Sequence, residues 1–115
     1  MKKEFQIISD LIENNTRVLD VGCGDGTLMK YLKEKKYIDT RGLEISKDKI
    51  QICVSKGLSV IEGNAEEDLQ QFPKSSFNYA ILSQTLQAFY YPEKVINDLL
   101  NVADKAIITI PNFGH

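Results

Sequence analysis

Three glycines at alternating positions, flanked by two acids, are the residues of this chain best suited to hold a ligand. They stand in the run Val18-Leu19-Asp20-Val21-Gly22-Cys23-Gly24-Asp25-Gly26-Thr27. An apolar stretch leads into Asp20, and a helical pattern begins at Thr27. Glycines at such a turn admit positive φ and let a ligand touch bare backbone. The first free N–H groups of the following helix are expected to point into the same space. The dinucleotide fingerprint spaces its glycines as G-x-G-x-x-G. Here Gly22, Gly24 and Gly26 are one residue tighter. Asp20 and Asp25 would oppose an anionic pyrophosphate and would favour a ligand carrying an amine or a sulfonium cation. A glycine-rich turn without a ligand is the plainer reading. It leaves unexplained why acid, strand and helix stand in this order.

A second acid fits the same ligand. Glu44 follows Gly26 by 18 residues, and an acid about 20 residues past a glycine turn is where a ribose diol is gripped. A carboxylate suits that task because it accepts two hydroxyl hydrogen bonds at once. Asn64, with Ala65 and Glu66 beside it, stands where an adenine edge would lie. Its side chain can accept from an exocyclic amine and donate to a ring nitrogen, although a turn asparagine reads nearly as well. Ser83, Gln84, Thr85, Leu86 and Gln87 form a polar mouth, or else only cap the next segment. Tyr90 and Tyr91, before a proline-started helix, read as packing residues.

The elements that must position these groups alternate between strand and helix. Residues 4–13 carry Phe5, Ile8, Leu11 and Ile12 at helical spacing. A strand at 16–21 leads to the glycine turn, and a helix at 27–35 follows with Leu28, Tyr31 and Leu32 on one face. A second strand covers 40–45. Ser46 caps a helix with Ile50, Cys53 and Val54 inward, and Gly57 stops it. A third strand covers 58–62. A short acidic helix at 66–72 ends at Pro73, and its acids match the helix dipole better than they make a metal site. A fourth strand covers 77–83. Pro92 opens a helix whose inward stripe is Val95, Ile96, Leu99 and Leu100. A fifth strand at 105–110 is nearly all apolar, as a central parallel strand should be. This alternation predicts a doubly wound α/β fold, Rossmann-like, with five parallel strands in the order 3-2-1-4-5 and a cleft at the switch point.

Composition narrows the class further. The 115 residues suffice for one domain spanning 1–115. Apolar residues are 43% and charged residues 26%, ordinary for a soluble protein. A net charge of -2 does not favour nucleic acid. The cluster Lys33, Lys35 and Lys36 reads as a solvated helix end. No apolar run reaches membrane-spanning length, and the start of the chain lacks the apolar core of a signal peptide. Cys23 and Cys53 form no metal spacing, and a cytoplasmic location is expected. His115 is the single histidine, which argues against a histidine dyad or a zinc site.

In this order, the segments 18–27, Gly42-Leu43-Glu44, Gly63-Asn64-Ala65-Glu66 and 77–83 resemble the class I S-adenosylmethionine-dependent methyltransferases. More narrowly, Ile81-Leu82-Ser83-Gln84-Thr85-Leu86-Gln87 and Ile110-Pro111-Asn112-Phe113-Gly114-His115 resemble the methionine biosynthesis MetW family. The resemblance runs from about Arg17 to the last residue. It implies S-adenosyl-L-methionine as cofactor. Asp20 would lie near the amine, and the backbone of Gly22, Cys23, Gly24 and Gly26 around the methionine part. Glu44, with Ile45 beside it, would take the ribose, Asn64 and Ala65 the adenine, and Ser83 would line the cleft near the methionine part. It also implies a link to methionine synthesis and homoserine O-acyltransferase as a partner.

The chain departs from the family at Asn64 and Asn78, where aspartate is common, and in length. Methyltransferases of this class continue through a further helix and two strands, so the chain is expected to be a C-terminally shortened domain. Its fifth strand would then be an apolar edge through which it pairs with a second copy or a partner. Two functions follow: methyl transfer to a small acceptor, with no evident catalytic base, or a cofactor-binding module that activates the acyltransferase. The tight glycine spacing and Asp20 speak against an NAD-linked oxidoreductase.

Overall fold

The computed structural model describes residues 3–111. Five strands form one parallel sheet: β1 (Arg17–Val21), β2 (Asp39–Glu44), β3 (Val60–Glu62), β4 (Phe77–Ser83) and β5 (Ala103–Thr109), in the order β3-β2-β1-β4-β5. The helices are α1 (Lys3–Leu11), α2 (Thr27–Lys36), α3 (Lys47–Ser55), α4 (Ala65–Asp68) and α5 (Pro92–Val102), with 3-10 turns at Leu69–Gln71 and Leu86–Ala88. The expected fold class and strand order are the observed ones.

Strand alternation splits the core into two layers. Leu19 and Val21 of β1 pack with Leu82 of β4 and with Val95, Leu99 and Val102 of α5. Val18 of β1 packs on the opposite face with Tyr79 and Ile81 of β4, Ile8 of α1 and Leu28 and Leu32 of α2. Side chains two apart on a strand share a face, so Asp20 lies on the Val18 face, under the helices that flank the glycine turn. The Lys33, Lys35 and Lys36 cluster does stand in the last turn of α2. There the Lys36 Nζ also donates to the Ile12 carbonyl at 2.7 Å.

Several expected faces shift. The α5 stripe is Val95, Leu99 and Val102, while Ile96 is half-buried and Leu100 is exposed. The spacing i, i+4, i+7 already fills the contact with the sheet and turns Leu100 outward. In α3 only Cys53 is buried, Ile50 is half-buried, and Val54 is exposed. That helix covers the β3 side, where the strand is three residues long, so its buried face is narrow. Leu11 is exposed because α1 ends there and Ile12 takes the inward place. Strand three is shorter than expected because Leu58 closes α3. The Leu58 N–H donates to the Cys53 carbonyl at 3.0 Å and the Gly57 N–H to the Val54 carbonyl at 2.9 Å, a Schellman stop around Gly57 in the left-handed region. The 66–72 helix divides into α4 and a 3-10 turn. Among the described residues β5 is the edge strand that the expected order makes it, half-buried from Ala106 to Thr109. Residues 112–115, including the only histidine and most of the last family-like stretch, lie outside the described residues.

Candidate functional site

All five strands run the same way, so their carboxyl ends meet at one edge of the sheet. There the connections after β1, β2, β3 and β4 enclose a cleft of about 410 Å³. Gly22, Leu43, Glu44, Ile45, Gly63, Asn64, Ala65 and Glu66 line one side, and Thr85, Ala88, Phe89 and Tyr90 the other.

The glycine turn needs its glycines: Gly22, Gly24 and Gly26 have φ of 71°, 60° and 84°, a region costly for residues with a Cβ. Several of its amides are already engaged. The Gly22 and Cys23 N–H groups donate to the Leu43 carbonyl at 2.7 and 3.2 Å, and Gly26 N–H to the Cys23 carbonyl at 3.2 Å. Gly24 N–H donates to Glu44 Oε1 at 2.8 Å. At the start of α2, Thr27 N–H and Oγ1–H both donate to Asp25 Oδ1, at 3.0 and 2.6 Å. The amides of Gly22, Cys23, Gly24, Gly26 and Thr27 are therefore filled from within, while among the described residues no hydrogen bond takes those of Asp25, Leu28 and Met29. Those Thr27 bonds, with the positive charges of Lys56 and Lys49 in support, hold the Asp25 carboxyl below its ordinary range.

Glu44 braces the turn. Its Oε1 takes the Gly24 amide, and its Oε2 accepts from Ser46 N–H at 3.0 Å. Each oxygen keeps a second lone pair, and the side chain, nearly buried, still borders the cleft. Behind it Asp20 is 3% exposed. Burial first, and the negative charge of Glu44 second, push its carboxyl up to about 7. Among the described residues no hydrogen bond or ion pair reaches that carboxyl. A buried acid beside a second acid is a place where a cation would be stabilised.

Asn64 caps α4. Its Oδ1 accepts from Glu66 N–H at 2.8 Å, while its own N–H donates to Asp68 Oδ2 at 2.6 Å. Glu66 reaches across the cleft: its Oε2 accepts from Tyr91 N–H at 2.7 Å, and Lys94 Nζ holds its carbonyl at 2.6 Å.

The side chain of Cys23 points away from the cleft, into a cluster with Met29, Cys53 and Leu58. Its Sγ lies 4.0 Å from that of Cys53, whose thiol donates to the Gly24 carbonyl at 3.2 Å. Burial raises both thiols above their ordinary range. Gly24 and Gly26 shape the turn without lining the cleft. Ser83 is not part of the lining either. Its Oγ–H donates to Glu4 Oε2 at 3.0 Å, and it accepts from Thr109 Oγ1 at 3.2 Å. Gln84, at φ 59°, donates through Nε2 to Glu4 Oε1 at 2.7 Å and through its backbone N–H to the Thr109 carbonyl at 2.9 Å.

The structure thus gathers Gly22, Glu44, Ile45, Asn64 and Ala65 in the cleft and sets Asp20 behind it. The residues that reading the sequence undervalued are Thr85, Phe89 and Tyr90. Tyr90 is 89% exposed at the rim rather than packed. Thr85 Oγ1 is buried without a hydrogen-bond partner, and it stands 4.0 Å from where a Cβ on Gly22 would lie. A turn-forming polar run carries no periodicity that would place it against the turn after β1. Among the described residues no group of three or more potential metal ligands occurs, and no helix is long and apolar enough to cross a membrane.

Parallel strands in this order make the Rossmann-like fold of class I methyltransferases, and Asp20 within β1 and Glu44 at the end of β2 stand at its carboxyl edge. A SAM-dependent methyltransferase from Archaeoglobus fulgidus superposes with a TM-score of 0.70 at 20% identity, covering 86% of this chain and 48% of that one. The plantazolicin methyltransferase BamL, solved in complex with a triazolic desmethylPZN analogue and SAH, superposes with a TM-score of 0.69 at 26% identity, over 83% of this chain and 36% of that one. The family model for methionine biosynthesis protein MetW matches residues 2–115, and the chain belongs to that family. It is 29% identical over 116 residues to the bifunctional methionine biosynthesis protein MetXA/MetW of Rhodopirellula baltica. The match covers 94% of this chain and about a fifth of that protein's length, 19%.

Proposed function

We propose that the cleft binds S-adenosyl-L-methionine and that the chain is a MetW-type methyltransferase domain of methionine biosynthesis, working in the cytoplasm. The observation that carries this is the pair of acids at the glycine turn. Glu44 holds the turn by two amides and retains acceptor capacity toward the cleft, and Asp20 is a buried carboxyl with no cation of its own. Glu44 would take the ribose hydroxyls, Asp20 would face the cationic methionine end, and Gly22 with Ile45 would flank the chain between them. Ala65 and Asn64 would border the base. The negative charges of Asp20 and Asp25 at the turn speak against a pyrophosphate, which they would repel. When bound, the cofactor supplies an electrophilic methyl on a sulfonium, so the protein's part is to bind and orient.

Titration calorimetry with S-adenosylmethionine, S-adenosylhomocysteine and NAD tests the reading, with Glu44→Ala and Asp20→Ala as controls. The first two ligands are expected to bind and NAD not to. Silence with all three would end the cofactor reading.

A second reading has its own support. The Rhodopirellula relative carries MetXA and MetW in one chain. We propose on that ground that this chain contacts homoserine O-acyltransferase and raises its activity, with the β5 edge as the contact or as the seat of a homodimer. A co-purification assay with the acyltransferase checks the first, and light scattering the second. Cofactor binding without turnover over a panel of acceptors would favour this module over the enzyme.

A further inference from the structure

The sheet has two edge strands among the described residues, and they are not alike. The β5 edge carries Asp104 and Lys105, both exposed, and charges along an edge strand blunt its pairing with another chain. The β3 edge reads Ser59-Val60-Ile61-Glu62, with no lysine, arginine or proline. The Ser59 carbonyl takes the Gly42 N–H at 2.9 Å, and the Gly63 N–H donates to the Glu44 carbonyl at 3.0 Å. Residues 59 and 63 are thus turned toward β2. Backbone groups of successive residues face opposite sides of a parallel strand, so Val60 and Glu62 turn theirs outward, where no strand stands. Beside this edge lies a groove of about 260 Å³, lined by Leu43, Ile61, Glu62, Asp68, Gln71 and Phe72. Ile61 is in register with Leu43 and shares its face, yet it is 44% exposed. The charge around the groove has one sign. Asp68 takes the Asn64 N–H at 2.6 Å and the Gln71 Nε2 at 3.0 Å, one on each oxygen. Among the described residues no hydrogen bond or ion pair reaches the Glu62 carboxylate.

We infer that the β3 edge and its groove receive an extended segment of a protein partner, added to the sheet as a further strand, whose side chains alternate between apolar and basic. The outward backbone groups of Val60 and Glu62 supply the ladder bonds, and alternate side chains supply the selectivity. Those on the Leu43 face enter the groove against Ile61 and Phe72. Those on the other face stand beside Glu62, which shares the side of Val60 toward α3. There a lysine or arginine meets an unpaired carboxylate, while an acidic segment is repelled by Glu62 and Asp68 together. The groove shares only Leu43 with the lining of the cleft, and it lies at the opposite edge of the sheet from β5. The inference therefore stands apart from the cofactor reading and from the proposed contact at β5.

The probe is a short fluorescent peptide of alternating lysine and valine, followed by anisotropy on the full chain. Two further peptides replace each lysine by glutamate or place a proline at the centre. The basic peptide is expected to bind, and the other two to bind about tenfold more weakly or worse. Ile61→Asp is expected to weaken the basic peptide by about tenfold or more. Glu62→Lys is expected to weaken the basic peptide and strengthen the acidic one, an exchange that a general loss of structure does not produce. Absence of binding by the basic peptide overturns the inference. Equal binding of the proline peptide does so too, since the groove would then take side chains without a strand, and equal binding of the acidic peptide removes the basic partner. Affinities unchanged in both variants would place the peptide elsewhere, the β5 edge included, and overturn it as well. If Ile61→Asp does not fold, the charge exchange in Glu62→Lys decides, because Glu62 is exposed. Light scattering covers the remaining occupant: a wild-type dimer that either variant turns into a monomer would mean that a second copy fills this edge, and the inference falls.

Discussion

The two halves of the carboxyl edge are built differently. On the β1–β2–β3 side, polar side chains hold the backbone and keep capacity in reserve: Glu44 takes two amides and still borders the cleft, and Glu66 keeps one oxygen unengaged. On the β4–β5 side, Ser83, Gln84 and Thr109 are satisfied by one another and by Glu4, and only Thr85 Oγ1 among the named groups stays unpaired. Glu4 takes Ser83 and Gln84, Ser83 takes Thr109, and Gln84 is held in the left-handed region by Thr109 and Glu4 together. The first half is organised for something that is not protein. The second is a latch that fastens α1 across two strand ends. Polar residues at the end of a parallel strand therefore do not identify a site by type alone; what distinguishes them is whether their donors and acceptors are already matched.

The strongest way to break the first half is Gly26→Val. A Cβ there would lie 2.4 Å from the Leu58 Cδ1 and 3.0 Å from the Cys53 Sγ, at φ +84°. Left-handed strain and overpacking together are expected to cost about 2–5 kcal/mol, seen as a lower urea midpoint. Glu44→Ala removes the acceptor of two amides as well as the proposed ribose contact. S-adenosylhomocysteine affinity is expected to fall about 100-fold or more, at roughly 1.5–3 kcal/mol per charged hydrogen bond.

Asp20 tests the same half through pH. The native state keeps this proton up to about 7, whereas the unfolded chain releases it near the ordinary 3.8. The protonated acid's contribution is fully present below pH 3.8 and is lost as pH rises through about 7. Asp20→Asn should match the wild type near pH 3.5 and exceed it by roughly 1–4 kcal/mol at pH 8, measured by urea unfolding at both pH values.

The latch half is expected to respond less. Glu4→Gln weakens its bonds to Ser83 and Gln84, and a loss of about 1 kcal/mol, confined to faster amide exchange in α1, is expected. An equal loss of ligand affinity would erase the contrast between the halves. The smallest effect belongs at the opposite end of the sheet. Asp39 pairs with Arg17 at 3.3 Å, both about half exposed, so Asp39→Ala should shift stability by no more than about 0.5 kcal/mol.

The glycine turn, Glu44 and the strand order were legible in the sequence because local chemistry decides them: an apolar run, a tight turn and an acid at fixed spacing. Ser46 as a cap and Gly57 as a stop were legible for the same reason. Val54 and Leu100 were not, since helical spacing says that a stripe exists but not how wide the neighbouring sheet is. Ser83 and Asn64 show a different limit. Both stand at strand ends as expected, but their hydrogen-bond partners, Glu4 and the Glu66 amide, are fixed by packing and capping that residue type does not reveal. Phe89 and Tyr90 joined the cleft through a 3-10 turn with no sequence period.

Because every strand is parallel, each backbone connection at the cleft edge leaves from one strand and returns to the sheet at the far edge. The side chains that secure the two core layers sit between those edges. Changes in the segments after β2, β3 or β4 can therefore alter what is bound with little effect on the core, whereas a change in Leu19, Leu82 or Leu99 affects the core first. This separation gives the lineage room to vary its ligand without re-solving its fold. It also means that low identity concentrated in those three connections would indicate a change of ligand, while the same low identity spread through the strands would indicate only drift.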